Sequence, residues 1–257
     1  MTEISNLSLL TMILFVMIPV SLSYFFSLGI EKSAIWSSLR GVVQLFFIGY
    51  ILTFLFSMPD WQGIGLWVAV MLVIASAQAR KRGKGIPFAF LLSLGSLILI
   101  EVFVLSLWIV FDIIPFRSEQ VIPMSGMIIG NSMVASGLAF ERMKNEFHDS
   151  RGKLLAALSL GANPSQASKM IIRKTIKAAM IPNVDGLKTI GLVQLPGMMT
   201  GLILGGASPI EAIRYQIVIS ISIFSSVSIC AMIISLVTYR FFFNQNMQLV
   251  SIEGGND

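Results

Sequence analysis

The sequence predicts an all-α, polytopic membrane protein, and three observations carry that reading. Of its 257 residues 55% are hydrophobic and only 12% charged, with a mean hydropathy of +0.84, whereas a water-soluble domain is about a quarter charged. Seven apolar runs are long enough to cross about 30 Å of hydrocarbon at about 1.5 Å per residue. The basic residues, finally, fall on one side of those runs. Soluble enzymes and nucleic-acid-binding domains are excluded by the first observation. The single cysteine, Cys230, excludes an internal disulfide, and the single histidine, His148, excludes any site that needs two.

The runs cover residues 7–28, 41–58, 64–79, 88–114, 121–139, 189–206 and 213–239. The first has no basic start and no small-residue cleavage site before Glu31, so it reads as a span and not as a signal peptide. In the fifth and sixth, Gly126, Gly130, Pro196 and Gly197 are points where a helix can break or turn back. Lysine and arginine are retained on the cytoplasmic side. Of the 18 such residues, 16 share one side and only Arg117 and Arg214 lie on the other. The expected topology is an external N-terminus and a cytoplasmic C-terminus. The net charge of +5 is therefore a topology signal, with the bilayer as partner and no nucleic acid.

One connection is large, residues 140–188, inside what otherwise reads as a single transmembrane domain over 1–257. Its first half predicts a helix running on from the fifth span through Arg142, Lys144, Arg151 and Lys153 to Leu154, Leu155, Leu158 and Leu160. Gly161 can stop that helix in a left-handed conformation. Asn163 as N-cap with Pro164 in the first turn restarts a second one. That helix should carry Ala167, Met170, Ile171, Lys174, Ala178 and Ile181 on one stripe and end or kink at Pro182. The apolar tip, Leu154 to Leu160, favours a docking surface for a soluble partner over a helix pair lying on anionic lipid.

These residues also carry a resemblance. Residues 40–49 (RGVVQLFFIG), 121–133 (VIPMSGMIIGNSM), 158–162 (LSLGA) and above all 191–206 (GLVQLPGMMTGLILGG), with Tyr215-Gln216-Ile217, are similar to the permeases of the iron-export ABC transporters of the FetB type. That family has plant relatives implicated in aluminium tolerance. A looser similarity links Leu155-Ala156-Ala157 and Gly161 to the E-A-A-x-x-x-G docking loop of ABC importers, with leucine at the glutamate position. The resemblance implies a bacterial inner-membrane subunit that works as a homodimer and moves iron or another metal outward. It implies an ATPase on a separate chain that binds ATP-Mg. The expected coupling residues are Leu155, Leu158, Leu160, Gly161, Asn163 and Pro164. In agreement, no G-x-x-x-x-G-K-[ST] loop occurs here, so no nucleotide cofactor or enzyme activity is expected of this chain.

Within the spans, Glu101 is the one ionisable residue deep in an apolar stretch, which makes it a candidate for binding a cation or carrying a proton. The amides Gln44, Asn131 and Gln194 and the thioethers Met198 and Met199 are further pathway candidates; amides also serve as interhelical ties and methionines as adaptable packing. Thioethers suit copper(I), and iron(II) prefers imidazole, carboxylate or carbonyl oxygen, so no metal ligand set is assigned. Gly197, Gly201 and Gly205 repeat every four residues and predict a face for close helix packing. An ion-coupled carrier or channel using Glu101 is the alternative function. A retinal protein fails for want of a lysine in the last span, and an intramembrane serine protease fails because His148 lies in the large loop.

Overall fold

The computed structural model describes Thr11 and residues 14–250. It divides into two compact units, Met1–Pro59 and Asp60–Asp257. In the first unit, α1 (Met17–Phe25) leads into α2 (Glu31–Phe56). The Ser23 hydroxyl donates to Glu31 Oε1 at 2.7 Å and ties the two ends of that turn. The predicted span 7–28 lies partly outside the described residues, and α1 is the part that is seen. The span 41–58 falls almost wholly in α2, which starts ten residues earlier.

The second unit holds α3 (Asp60–Arg82), α4 (Ala89–Val110), α5 (Ser118–Asp149), α6 (Arg151–Ser159), α7 (Pro164–Thr189), α8 (Gly197–Leu204) and α9 (Pro209–Thr238), followed by a 3-10 turn, Tyr239–Phe242. Among the described residues five helices are long and apolar enough to cross a membrane: α2, α3, α4, α5 and α9 with its 3-10 extension. The sixth predicted span, 189–206, is not one helix. Gly191 turns the chain at φ +78° and Pro196 stands as the N-cap of a short α8, so the run is cut in two.

The centre of the second unit is α5, which packs on α3, α4, α7 and α9. Its 32 residues extend about 48 Å at about 1.5 Å each, well beyond the hydrocarbon thickness. Small side chains let its neighbours come close. A Cβ on Gly137 would stand 2.9 Å from Arg82 Cδ, and one on Gly83 would stand 3.1 Å from the Phe140 ring. Polar ties then fix the register. The Ser118 amide and hydroxyl both donate to Asp60 Oδ1, at 2.8 and 2.6 Å, joining the starts of α3 and α5. Cys230 of α9 lies 3.0 Å from the Ser136 hydroxyl of α5 and 3.7 Å from that of Ser96 of α4. Trp108 Nε1 donates to Ser222 Oγ at 3.2 Å, a second tie between α4 and α9.

At the far end of α5 the chain bends at Ser150, so the single helix expected through Leu160 is two helices, α5 and α6. The hairpin itself follows the sequence reading. Gly161 adopts φ +89°, and Asn163 forms a reciprocal capping box with Gln166 ahead of Pro164. Pro182 neither ends nor breaks α7, which continues to Thr189. The buried face of α7 is Ser168, Ile171, Ile172, Thr175 and Ala179, displaced from the expected stripe. Met170 is exposed and Lys174 reaches back to a buried carboxylate.

That carboxylate, Glu146, pairs with Arg142 at 2.8 Å and with Lys174 at 3.0 Å, joining α5 to α7. Beside it Met143, Phe147, Leu154, Ile171, Ile172 and Phe242 form one apolar cluster. Phe147 stacks on Phe242 with ring centroids 4.0 Å apart. The chain after α9 thus folds back as a brace, closed by the Val250 amide donating to the Phe242 carbonyl at 2.8 Å. Replacing Phe242 by Ala deletes a buried ring and should cost about 3–5 kcal/mol of local stability. The expected result is faster proteolysis of the α6–α7 hairpin. Leu160→Ala, at an exposed position, should leave the rate unchanged; equal rates in the two variants would show that the brace does not hold the hairpin.

Candidate functional site

Two features of the second unit stand out from its packing, the hairpin tip and the break between α7 and α8. Leu154 is buried in the cluster, so it is a foot of the hairpin and not part of its tip. Leu155 is exposed, Leu158 half-buried and Leu160 89% exposed, at the end of a turn whose backbone is fixed by Gly161 and the capping box. A rigid element with an uncovered leucine at its tip is what a docking contact requires.

The break has its own local structure. From Thr189 to Gln194 the chain forms a tight loop: the Val193 amide donates to the Thr189 carbonyl at 3.0 Å and the Gly191 amide to the Gln194 carbonyl at 2.9 Å. Its side chains point outward, Leu192 being 87% and Val193 84% exposed. At the hairpin end, α7 and the chain after α9 share the apolar cluster; at the other end, Leu187 and Ile190 face Ser220 and Ile221 of α9 across a groove of about 370 Å³. So α7 runs antiparallel to α9 and is interrupted beside it. Met199 of α8 and Gln216 of α9 also line the groove. Gln216 Nε2 donates to Ser220 Oγ at 2.9 Å, and its Oε1 is buried without a partner.

The predicted pathway residues do not form one cluster. Gln194 and Met198 belong to the break and α8, with Gln194 exposed, and Met199 lines the groove. Asn131 is half-buried and returns its amide to the Met127 carbonyl of its own helix at 2.8 Å. Gln44 is exposed on α2, in the first unit. Glu101 is only 2% exposed, and both its oxygens lack a hydrogen bond of sound geometry. The hydroxyl of Ser125 on α5, also buried, is the polar group that stands beside it. Among the described residues nothing beyond its own stretch of helix stands within 4 Å of a Cβ placed on Gly197 or Gly201, so no close contact from another described helix covers those two positions. Among the described residues no group of three His, Cys, Asp or Glu could hold a metal ion.

Gln216 and Ser220 escaped the sequence reading. Gln216 stands in the quoted Tyr215-Gln216-Ile217 stretch, yet its pairing one turn on with Ser220 shows only once α9 is laid against the break. Lys188 closes the 140–188 connection that the sequence reads as a hairpin. It lies near the far end of α7, paired with Asp185 at 2.8 Å.

Residues 6–243 match the model of an uncharacterised protein family, UPF0014. The chain belongs to this family. Among its relatives, the "Probable iron export permease protein FetB" of Escherichia coli (strain K12) is 40% identical over 248 residues, 96% of either chain. The UPF0014 membrane protein STAR2 of Oryza sativa subsp. japonica is 32% identical over 91% of this chain and 82% of its own length. The protein ALUMINUM SENSITIVE 3 of Arabidopsis thaliana is 31% identical, covering 91% and 86%. No solved structure matches the chain. The UPF0014 protein described here is thus a helical membrane protein, and the 191–206 block on which the resemblance rests most is the broken segment itself.

Proposed function

We infer that this UPF0014 protein is the transmembrane subunit of an ABC transporter that exports iron or another metal from a bacterial cell, driven by ATP hydrolysed on a separate subunit. The observation that carries this reading is the hairpin: a stiff two-helix element, clamped to the longest helix by Glu146 and the Phe147–Phe242 stack, with Leu160 uncovered at its tip. Force from a soluble motor needs such an element, because a flexible loop would absorb the motion it should transmit. The relative named for iron export and the lack of a phosphate-binding loop in this chain support the same reading.

In this reading Leu155, Leu158, Leu160 and the Gly161–Pro164 turn contact the ATPase, and two permeases pair to complete the pathway. Leu160→Asp places a carboxylate in an apolar contact, an uncompensated burial worth about 2–7 kcal/mol or more. The variant should insert in the membrane and lose its ATPase on purification, while Lys169→Ala, on an exposed side chain, should keep it. An ATPase retained at the normal ratio by Leu160→Asp would remove the hairpin from the coupling role.

The reading also sets the topology, with the hairpin in the cytoplasm and the turn before α9 outside. In a Cys230→Ser background, Ser208→Cys should react with an impermeant thiol reagent on intact cells and Asn163→Cys should not. Labelling at position 163 would invert the arrangement.

Glu101 favours a second reading, an ion-coupled carrier or an ion-coupled step within the ABC cycle, because a carboxyl buried on α4 beside the Ser125 hydroxyl of α5 meets an ion or solvent when those helices part. Glu101→Gln keeps the shape and removes the charge. If Glu101 serves transport, efflux should fall several-fold with normal yield and normal ATPase retention. Unchanged efflux would leave Glu101 a packing residue.

A further inference from the structure

The short loop between α3 and α4 joins two helices that are each long and apolar enough to span, so it meets a membrane surface. The 23 residues of α3 extend about 34 Å at about 1.5 Å each, slightly more than the hydrocarbon thickness. Its last turn, Arg80-Lys81-Arg82, therefore lies at headgroup level. Between that turn and the loop is a concave site of about 600 Å³. Ala77, Arg80 and Lys81 of α3 line it at spacings i, i+3 and i+4, which is one helix face, and Lys84 of the loop joins them. No carboxylate belongs to the lining.

Helix α5 fixes the shape of this site from behind. Arg82, which is not in the lining, pairs with Glu141 of α5 at 3.1 Å and so occupies that carboxylate. Lys144 of α5 donates to the Lys84 carbonyl at 2.7 Å, and the buried Ile86 donates its amide to the Gly83 carbonyl at 2.9 Å. The loop is thus a held cradle with Arg80, Lys81 and Lys84 exposed on its open side. Further along the same face of α3 the surface is hydrocarbon: Val73 and Ile74 are exposed, with the small Ala77 between them and the basic residues. A cytoplasmic loop needs basic residues to fix topology, but topology alone does not require a cavity or an apolar track leading out of it. The order along the helix, apolar, small and then basic, matches the acyl chain, glycerol and phosphate of a phospholipid. A soluble anion would use only the basic end.

We propose that the cradle between the end of α3 and the loop before α4 binds one anionic phospholipid, its phosphate among Arg80, Lys81 and Lys84 and an acyl chain along Ala77, Ile74 and Val73. The inference is independent of the transport reading, because a loop between two spans meets a leaflet in either orientation and the binding needs neither ATPase nor cargo.

The test uses the full-length protein, delipidated in detergent and followed by native mass spectrometry. It is titrated with phosphatidylglycerol, with phosphatidylcholine of the same acyl chains, and with inorganic phosphate. Phosphatidylglycerol should fill a first site at least about tenfold more tightly than phosphatidylcholine, and inorganic phosphate should not displace it. Arg80→Gln with Lys81→Gln should weaken that site about thirtyfold, from about 1 kcal/mol for each of two basic groups near an anionic headgroup. Ala77→Trp keeps every charge and fills the cradle, and should remove the site. The double glutamine variant, at exposed positions, keeps the test open should the tryptophan disturb folding. As control, Lys169→Gln with Lys177→Gln takes two charges from exposed positions on α7 and should leave the site intact. Equal binding of the two lipids, displacement by inorganic phosphate, an equal loss in the control pair, or a first site that survives either folded variant would each overturn the proposal.

Discussion

Hydrocarbon offers no hydrogen-bond partner, and this constraint organises the second unit. Every backbone amide and carbonyl that crosses the bilayer has to be satisfied within its own segment, which is why the apolar runs become helices and why α3, α4, α5 and α9 are continuous. The place where continuity fails is therefore informative. Between Thr189 and Pro196 the chain leaves the helix, and it meets the constraint by bonding to itself, Gly191 to Gln194 and Val193 to Thr189, alongside α9. Irregular backbone at membrane depth occurs where protein or a water-filled cavity covers it, and discontinuous helices commonly frame transporter binding sites.

Helix α9 is the wall shared by two different environments. One side faces the groove through Gln216, Ile217 and Ser220; another faces α4 and α5 through Ser222, Ser226 and Cys230. The second side is built of small polar groups that let backbones approach and exchange weak hydrogen bonds, a mode of packing suited to membranes, where burying apolar surface against lipid brings no gain. Such contacts are individually modest.

The hairpin end is built on a different principle. There the chain has water available, and stability comes from a soluble-type cluster, Met143, Phe147, Leu154, Ile171, Ile172 and Phe242, sealed by the buried Glu146 between Arg142 and Lys174. A carboxylate answered by two cations avoids the penalty of an unpaired buried charge. Rigidity at this end and weak, adjustable contacts inside the membrane are a reasonable division of labour for an element that must pass motion to the spans.

Length, composition and periodicity were enough to establish the class, the positions of α3, α4 and α9 within a few residues, the start of α5, and the hairpin turn, because each depends on local chemistry: apolar length against bilayer thickness, a left-handed glycine at 161, a capping box at Asn163 and Gln166. The resemblance placed weight on residues 191–206, and they are the broken segment. What local chemistry could not decide was anything set by contacts between distant residues. Leu154 is a foot and Leu160 a tip because Phe242, almost ninety residues on, stacks on Phe147 in the cluster that buries Leu154. Pro182 was readable as a helix end, yet α7 continues to Thr189; the interruption falls instead at Gly191, where the backbone takes a positive φ and closes on Gln194. Glu101 could be seen as ionisable, but only the packing of α4 against α5 buried it beside Ser125. Gln216 could be read in the sequence as one amide among several; tertiary structure set it beside the break, with a buried acceptor and no donor to meet it.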